Sequence, residues 1–126
     1  MTEANKRIVQ RALSGLVETG DTDTLGSFLS EDFVHHRPGP AGRTKAAWLA
    51  DVRAAQGPLA AMRVEVRHLV ADDQYVMVHS ARRLGDAGPQ VAVVDICRLE
   101  GGLIAEIWET IEPVSQAPAN LRWWEV

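Results

Sequence analysis

The sequence has little cysteine and no long apolar run, and each shortage excludes a class of protein. Its single cysteine, Cys97, cannot form an internal disulfide and belongs to no Cys-x-x-Cys pair that would indicate a redox or metal site. No stretch approaches the ~20 consecutive apolar residues of a membrane span, and the polar N-terminus lacks the pattern of a signal peptide. We therefore expect a cytoplasmic protein.

Positively charged residues are also fewer than negatively charged ones. Thirteen lysines and arginines stand against 17 aspartates and glutamates, which gives a formal net charge of −4. Nucleic acids and anionic membranes bind to clustered positive charge, so we expect neither as a partner. At ~150 residues per domain, the 126 residues predict one domain over residues 1–126.

The usual signatures of a cofactor site are missing from the sequence. No glycine-rich loop lies between a predicted strand and a predicted helix, and Gly101-Gly102 joins two predicted strands as a hairpin turn. The adjacent His35 and His36 diverge on an extended chain, so they do not form a metal-binding pair. We expect neither a cofactor nor a metal.

The apolar periodicity predicts helices first and strands afterwards. Spacings of three and four residues predict three helices, and residues 33–36 form a short extended segment. From residue 62 the period changes to two and predicts four strands joined by short turns. The predicted helices span residues 2–19, 21–29 and 44–56, and the strands span 62–68, 74–84, 90–99 and 103–112. Helices that cover one face of an antiparallel meander form an α+β arrangement, whose concave face can hold a small molecule.

Two carboxylates lie at unusual positions in the predicted strands. Glu109 shares its strand face with Ile107 and Ile111, where desolvation would raise its pKa and suit it to acid or base catalysis. An ion pair with Arg82 or Arg98 explains Glu109 equally well. Asp95 interrupts an apolar strand although aspartate is a poor strand former, and either catalysis or an ion pair with an arginine accounts for it.

Two histidines complete the candidate site. His79 lies on the second predicted strand, and His36 ends the extended segment before a Pro-Gly turn. Both are within reach of one cavity in this arrangement, although a single histidine on an apolar face is more often a hydrogen-bonded structural group. Convergence of both histidines with Asp95 and Glu109 would indicate a functional site.

The last two predicted strands resemble a known family. Residues 94–109 are similar to the closing hairpin of the SnoaL-like branch of the NTF2-like superfamily, with its Asp-(Ile/Leu)-Phe-Arg, glycine turn and Ile-x-Glu-His-Trp-Asp. Residues 34–38 resemble the Ile-Gln-His-Asn-Pro segment of that family, and residues 76–80 resemble its histidine-bearing strand. The resemblance implies a cone-shaped NTF2-like barrel in which three N-terminal helices pack on a curved, mainly antiparallel sheet of four to six strands that encloses a pocket. It also implies a homodimer that forms through the outer sheet face.

Relatives in this superfamily include polyketide cyclases, ketosteroid isomerase and limonene epoxide hydrolase, which use pocket carboxylates without a cofactor. The resemblance therefore implies a cofactor-independent enzyme of secondary metabolism. Its reaction would be an acid/base-assisted cyclisation, aldol-type condensation or isomerisation of a hydrophobic polyketide-like substrate. The alternative is a non-catalytic NTF2-like module that binds a small ligand or another protein.

The sequence departs from the family pattern at three polar positions. Ile107 stands where the family has histidine, Ala81 replaces a second histidine, and Arg37 replaces an asparagine. The predicted catalytic residues are those that keep a polar side chain, namely Glu109, Asp95, His36 and His79. The predicted substrate-binding residues are Trp48, Met77, Ile107, Phe33 and Trp123. We expect Trp123 and Trp124 to pack over the pocket mouth or a dimer interface, unless one indole merely caps the sheet.

Overall fold

A computed structural model describes five stretches of the chain, and the structural statements below refer to these residues. They are residues 2–15, 22–37, 42–55, 61–85 and 88–113.

Three helices precede the main part of the sheet, as the periodicity predicts. They are α1 (Thr2–Ser14), α2 (Thr22–Ser27) and α3 (Lys45–Ala54). The side chain of Thr44 caps α3 by accepting a hydrogen bond from the backbone N–H of Ala47 at 3.2 Å. Each helix buries one face, with Val9 in α1, Leu25 in α2 and Trp48 in α3 pointing into the core. Of the helices described, none has the length and apolar character needed to cross a membrane.

Six strands form one mixed sheet. They are β1 (Leu29–His36), β2 (Arg43–Thr44), β3 (Met62–Ala71), β4 (Tyr75–Leu84), β5 (Gln90–Glu100) and β6 (Leu103–Pro113). Their order is β2-β1-β6-β5-β4-β3, and every neighbouring pair is antiparallel except β1 and β6, which are parallel. The α+β class and the NTF2-like arrangement are confirmed, as is the four-stranded meander from β3 to β6. Within the described residues the sheet is open, with β2 and β3 at its edges.

The first part of the sheet differs from the prediction. β1 begins at Leu29, well before residue 33, because its backbone pairs with β6 as far back as Leu29 beside Ile104. This pairing shortens the second predicted helix, and the two-residue β2 is too short to show any periodicity. The outcome is one buried strand, β1, in place of a short extended segment.

Strand alternation gives the sheet two distinct faces. The inner face points toward the helices and carries core side chains such as Val78, Cys97 and Ile107. The outer face points away from the helices and carries half-exposed apolar side chains such as Met77 and Ile96. The core lies between the helices and the inner face, so any polar side chain on that face needs a partner.

A bulge in the closing hairpin decides which residues of β6 face inward. Near the turn Leu99 lies opposite Ile104, but beyond the register shift Arg98 lies opposite Glu106. Ile104 and Ala105 are consequently both buried, and the alternation then continues with Ile107 and Glu109. Gly101 and Gly102 make the turn itself with positive φ angles of 59° and 80°.

Candidate active site

Three charged side chains meet on the inner face. Asp95 of β5 and Glu109 of β6 are direct register partners, so their side chains leave the sheet side by side. Arg82 of β4 lies between them, with Nη2 at 2.6 Å from Asp95 Oδ2 and Nη1 at 3.8 Å from Glu109 Oε2. The side chains of Arg82, Asp95 and Glu109 are only 11%, 5% and 15% exposed. A single guanidinium therefore serves both carboxyl groups in a largely water-free environment.

The environment raises the pKa of both carboxyl groups. Burial is the main cause for Asp95, and the positive charge of Arg82 opposes it. For Glu109, burial again raises the pKa, and the negative charge of Asp95 raises it further. The two side chains also share a hydrogen bond that favours the charged form of Asp95 and the protonated form of Glu109. Asp95 thus carries the charge matched by Arg82, while Glu109 is the better place for a proton.

Glu109 has both an arginine partner and a raised pKa. Its arginine partner is Arg82, whereas Arg98 points to the outer face and binds Glu100 at 3.0 Å and Glu106 at 3.3 Å. The ion pair does not return Glu109 to ordinary behaviour, because its pKa stays raised despite the nearby guanidinium. Arg82 is therefore part of the site, although the sequence indicates it only as a possible ion-pair partner.

A cavity of about 290 Å³ lies next to this cluster, under α1 and over β3 and β4. Its lining is mainly apolar, and Arg82 belongs both to the lining and to the carboxylate cluster. The apolar lining residues are Leu13, Met62, Val64, Val66, Leu69 and Val78, and the other polar ones are Gln10, Ser14 and Ser80. A mostly apolar cavity with a few polar groups at one side is the usual form of a small-molecule site.

The two predicted catalytic histidines lie on the outer face, so the expected convergence with the carboxylates is wrong. Alternation explains His79: its neighbour Val78 points inward, and His79 Nδ1 lies 2.9 Å from His68 Nδ1 on β3. His36 is the register partner of Trp108, on which its ring stacks at 5.4 Å between centroids, and its Nε2 lies 2.5 Å from Glu106 Oε2. The sheet separates both imidazoles from Asp95 and Glu109.

The predicted substrate-binding residues lie in three different places. Phe33, Trp48 and Ile107 belong to the core on the inner side, and the rings of Phe33 and Trp48 pack 5.3 Å apart. Met77 was expected in the pocket but is 40% exposed on the outer face, because it alternates with the buried Val76 and Val78. Trp123 and its neighbour Trp124 lie outside the described residues, so their role stays a prediction.

His35 is an inner-face residue that the sequence reasoning did not assign to the site. It is 2% exposed, stacks on Trp48 at 4.6 Å between ring centroids, and lies beside Ile107 in the β1–β6 register. Burial lowers the pKa of His35 to about 4, with a further lowering from the charge of Arg37. Its Nδ1 has no hydrogen-bond partner within the described part of the chain. The sequence could have indicated this position, because His35 lies two residues after the apolar Phe33 and therefore on the same face of an extended strand.

The other reactive groups offer no further chemistry. Burial, helped by the charge of Asp95, raises the pKa of the Cys97 thiol, so it stays protonated and unreactive. Over the residues that the structure covers, no three histidine, cysteine or carboxylate side chains come close enough to hold a metal ion. The acid–base pair of Asp95 and Glu109 with Arg82 is the arrangement best suited to chemistry.

Comparisons with known proteins agree with this architecture. A family model described as a SnoaL-like domain matches residues 9–107. An LEH-like epoxide hydrolase from M. tuberculosis is 21% identical with a TM-score of 0.75, covering 88% of this chain and 84% of its own. A provisionally assigned ketosteroid isomerase from Kribbella flavida is 19% identical with a TM-score of 0.76, covering 90% of this chain and 81% of its own. A provisionally assigned SnoaL-like polyketide cyclase from Jannaschia sp. CCS1 is 13% identical with a TM-score of 0.78, covering 96% of this chain and 92% of its own. No curated protein matches the sequence.

Proposed function

Because this chain belongs to the SnoaL-like domain family, we propose that it is a cofactor-independent enzyme that moves protons on a hydrophobic, carbonyl-bearing substrate. The reaction class is isomerisation, cyclisation or aldol-type condensation of a polyketide-like molecule in secondary metabolism. The observation that carries the proposal is the buried pair of Asp95 and Glu109 joined by Arg82. Solved structures of the same fold include one named as a ketosteroid isomerase and one named as a SnoaL-like polyketide cyclase.

The pair suits a reaction with no net proton change. We assign the negative charge to Asp95, which binds Arg82 at 2.6 Å, and the proton to Glu109, whose pKa is raised by burial and by the charge of Asp95. Two carboxyl groups whose environments separate their roles are the general basis for acid and base catalysis in one site. A substrate in the cavity lies against Arg82, whose guanidinium contacts both groups.

The proposed steps follow from these roles. Glu109 donates its proton to the carbonyl oxygen of the substrate while Asp95 removes a proton from the adjacent carbon, which produces an enol. The proton on Asp95 then crosses the hydrogen bond to Glu109 and restores the pair. Isomerisation follows when Glu109 protonates another carbon of the enol while Asp95 accepts the proton of the enol hydroxyl, after which the same transfer from Asp95 to Glu109 restores the pair. An aldol-type closure follows when the enol carbon bonds to a second carbonyl carbon, whose oxygen takes the proton.

Deuterium exchange tests the proposal without knowledge of the natural substrate. The probe is 2-tetralone, a hydrophobic ketone with acidic C–H bonds, followed by NMR in D₂O. We expect the wild-type protein to accelerate exchange beside the carbonyl. Asp95→Asn and Glu109→Gln should each lower that acceleration about 100-fold, the lower end for a single acid or base.

The matched control is Glu65→Gln, which removes a carboxylate whose side chain is 74% exposed on β3. It should exchange 2-tetralone at the wild-type rate. Unchanged exchange in both Asp95→Asn and Glu109→Gln would refute the acid–base assignment and favour the alternative of a non-catalytic binding module.

Hydration of an epoxide is a second candidate, favoured by the position of Arg82 between two buried carboxyl groups whose pKa values are both raised. Glu109 would protonate the epoxide oxygen as the C–O bond breaks, and Asp95 would accept a proton from the attacking water. One solved relative is named as an epoxide hydrolase. Conversion of limonene oxide to its diol in H₂¹⁸O, with one ¹⁸O in the product, distinguishes this reaction from isomerisation.

A further inference from the structure

The strand next to Glu109 brings a second arginine toward the site. β1 runs parallel to β6, and His36 is the register partner of Trp108. The next residue along each chain is Arg37 and Glu109, so the two positions are adjacent across the strands. Arg37 also follows the buried inner-face residues Phe33 and His35 at a spacing of two. Arg37 is the first residue after β1, and continued alternation would direct it to the inner side of the sheet.

The electrostatics agree with this placement. Burial is the largest influence on the pKa of both His35 and Glu109, and the positive charge of Arg37 acts on both groups as well, lowering each pKa. His35 and Glu109 both point to the inner face, so one guanidinium influences the two from that side. Arg37 itself is exposed, which places it at the rim and not in the core.

The charges of the cluster leave a role for this arginine. Arg82 is matched by Asp95 at 2.6 Å, and Glu109 favours its protonated form. His35, with a pKa of about 4, is neutral near pH 7 and adds no charge. In that state neither carboxyl of the cluster matches the charge of Arg37. A cation at the rim of an apolar site attracts an anionic group on a ligand.

We propose that Arg37 binds the carboxylate of an otherwise apolar ligand whose body occupies the cavity under α1. This inference rests on the proposed function for the reacting position, and it adds the substrate class, an apolar carboxylic acid. The cavity lies over β3 and β4, and Arg37 directly follows β1, so the proposed ligand passes Glu109 on β6. From β4 to β1 there are three strand spacings of ~4.8 Å, or about 14 Å, which sets the length of the ligand.

The test compares binding of decanoate with binding of decanamide, a neutral molecule of the same shape, by isothermal titration calorimetry. The wild-type protein should bind decanoate about tenfold more tightly, the lower end for a hydrogen bond to a charged group. Arg37→Gln should remove this preference by weakening decanoate binding alone, and Arg37→Lys should keep most of it. Arg7→Gln removes an exposed arginine from α1 and should behave like the wild type.

Equal affinity of the wild-type protein for the two probes, including no measurable binding of either at millimolar concentration, would overturn the inference. So would an unchanged preference in Arg37→Gln. The binding test does not depend on turnover, because Glu109→Gln should keep the preference for decanoate over decanamide. If the wild-type protein shows no preference for decanoate but accelerates the exchange of 2-tetralone, only the role of Arg37 is refuted. If the wild type prefers decanoate and both carboxyl variants exchange 2-tetralone normally, only the proposed reaction is refuted.

Discussion

Replacement of Arg82 by methionine tests whether the charges of the cluster are balanced as the structure indicates. The variant keeps an apolar side chain of similar length but leaves Asp95 and Glu109 without their shared cation. Removing one partner of a buried ion pair costs about 3–5 kcal/mol because the remaining charge is uncompensated. The exposures of 11% for Arg82 and 5% for Asp95 place this pair among the buried ones.

The loss should depend on pH in a defined direction. Both carboxyl groups have raised pKa values in the folded protein, so their contribution to stability is largest when both are protonated and falls as pH rises. Without Arg82 the two pKa values rise further, so the cost of the substitution grows as pH increases from about 4, the ordinary pKa of a carboxyl group. We expect a loss of about 3–5 kcal/mol at pH 8 and a distinctly smaller loss at pH 5.

Urea denaturation followed by tryptophan fluorescence measures the free energy of unfolding at pH 8 and at pH 5. Asp95→Asn in the Arg82→Met background should recover part of the free energy of unfolding at pH 8, because it removes the uncompensated charge. The control is Arg98→Met on the outer face, where a 26% exposed arginine binds two carboxylates and should lose no more than about 1 kcal/mol. An equal loss at both pH values, with no recovery by Asp95→Asn, would show that Arg82 acts through packing alone.

Three shorter predictions address the other residues. His35→Phe keeps the ring stack on Trp48 and removes an imidazole whose pKa is about 4 in the folded protein. The free energy of unfolding of this variant, relative to that of the wild type, should therefore rise by about 3 kcal/mol as the pH falls from 7 to 4, as measured by urea denaturation. His36→Gln and His79→Gln should leave the exchange of 2-tetralone within about twofold of wild type, since acid–base groups contribute only from within reach of the substrate. Met77→Glu places a charge in the exposed apolar part of the outer face. In sedimentation analysis it should convert the expected homodimer to a monomer. A wild-type protein that is already monomeric would contradict the expected homodimer.

The alternation of β5 and β6 correctly indicated which of their residues face inward. Ala105, Ile107 and Glu109 share one face, as their spacing indicates, and Asp95 faces the same side as Cys97. It could not predict that the two carboxylates lie side by side. The register at the turn, where Glu100 pairs with Leu103, would place Asp95 opposite Trp108, and only the bulge beyond Leu99 moves it opposite Glu109.

The error over the histidines has a related cause. Periodicity tells which residues of one strand share a face, but it does not relate that face to the faces of other strands. His79 lies between the buried Val78 and Ser80, so the alternation of β4 already assigns it to the side opposite them. Arg82, on the same side as Val78 and Ser80, reaches the carboxylates from β4 through a side-chain geometry that periodicity does not specify.

The loss of histidine at Ile107 does not leave the inner face without an imidazole. In the family pattern histidine precedes Trp108 and glutamine stands at position 35, whereas here Ile107 and His35 are register partners on β6 and β1. The imidazole has thus moved one strand away, where it stacks on Trp48 under α3 and has a pKa of about 4. An imidazole with that pKa is neutral near pH 7, so His35 adds no charge to the inner face that carries Asp95 and Glu109. In the proposed reaction, proton transfer therefore rests on the two carboxyl groups and Arg82, and His35 is a neutral neighbour.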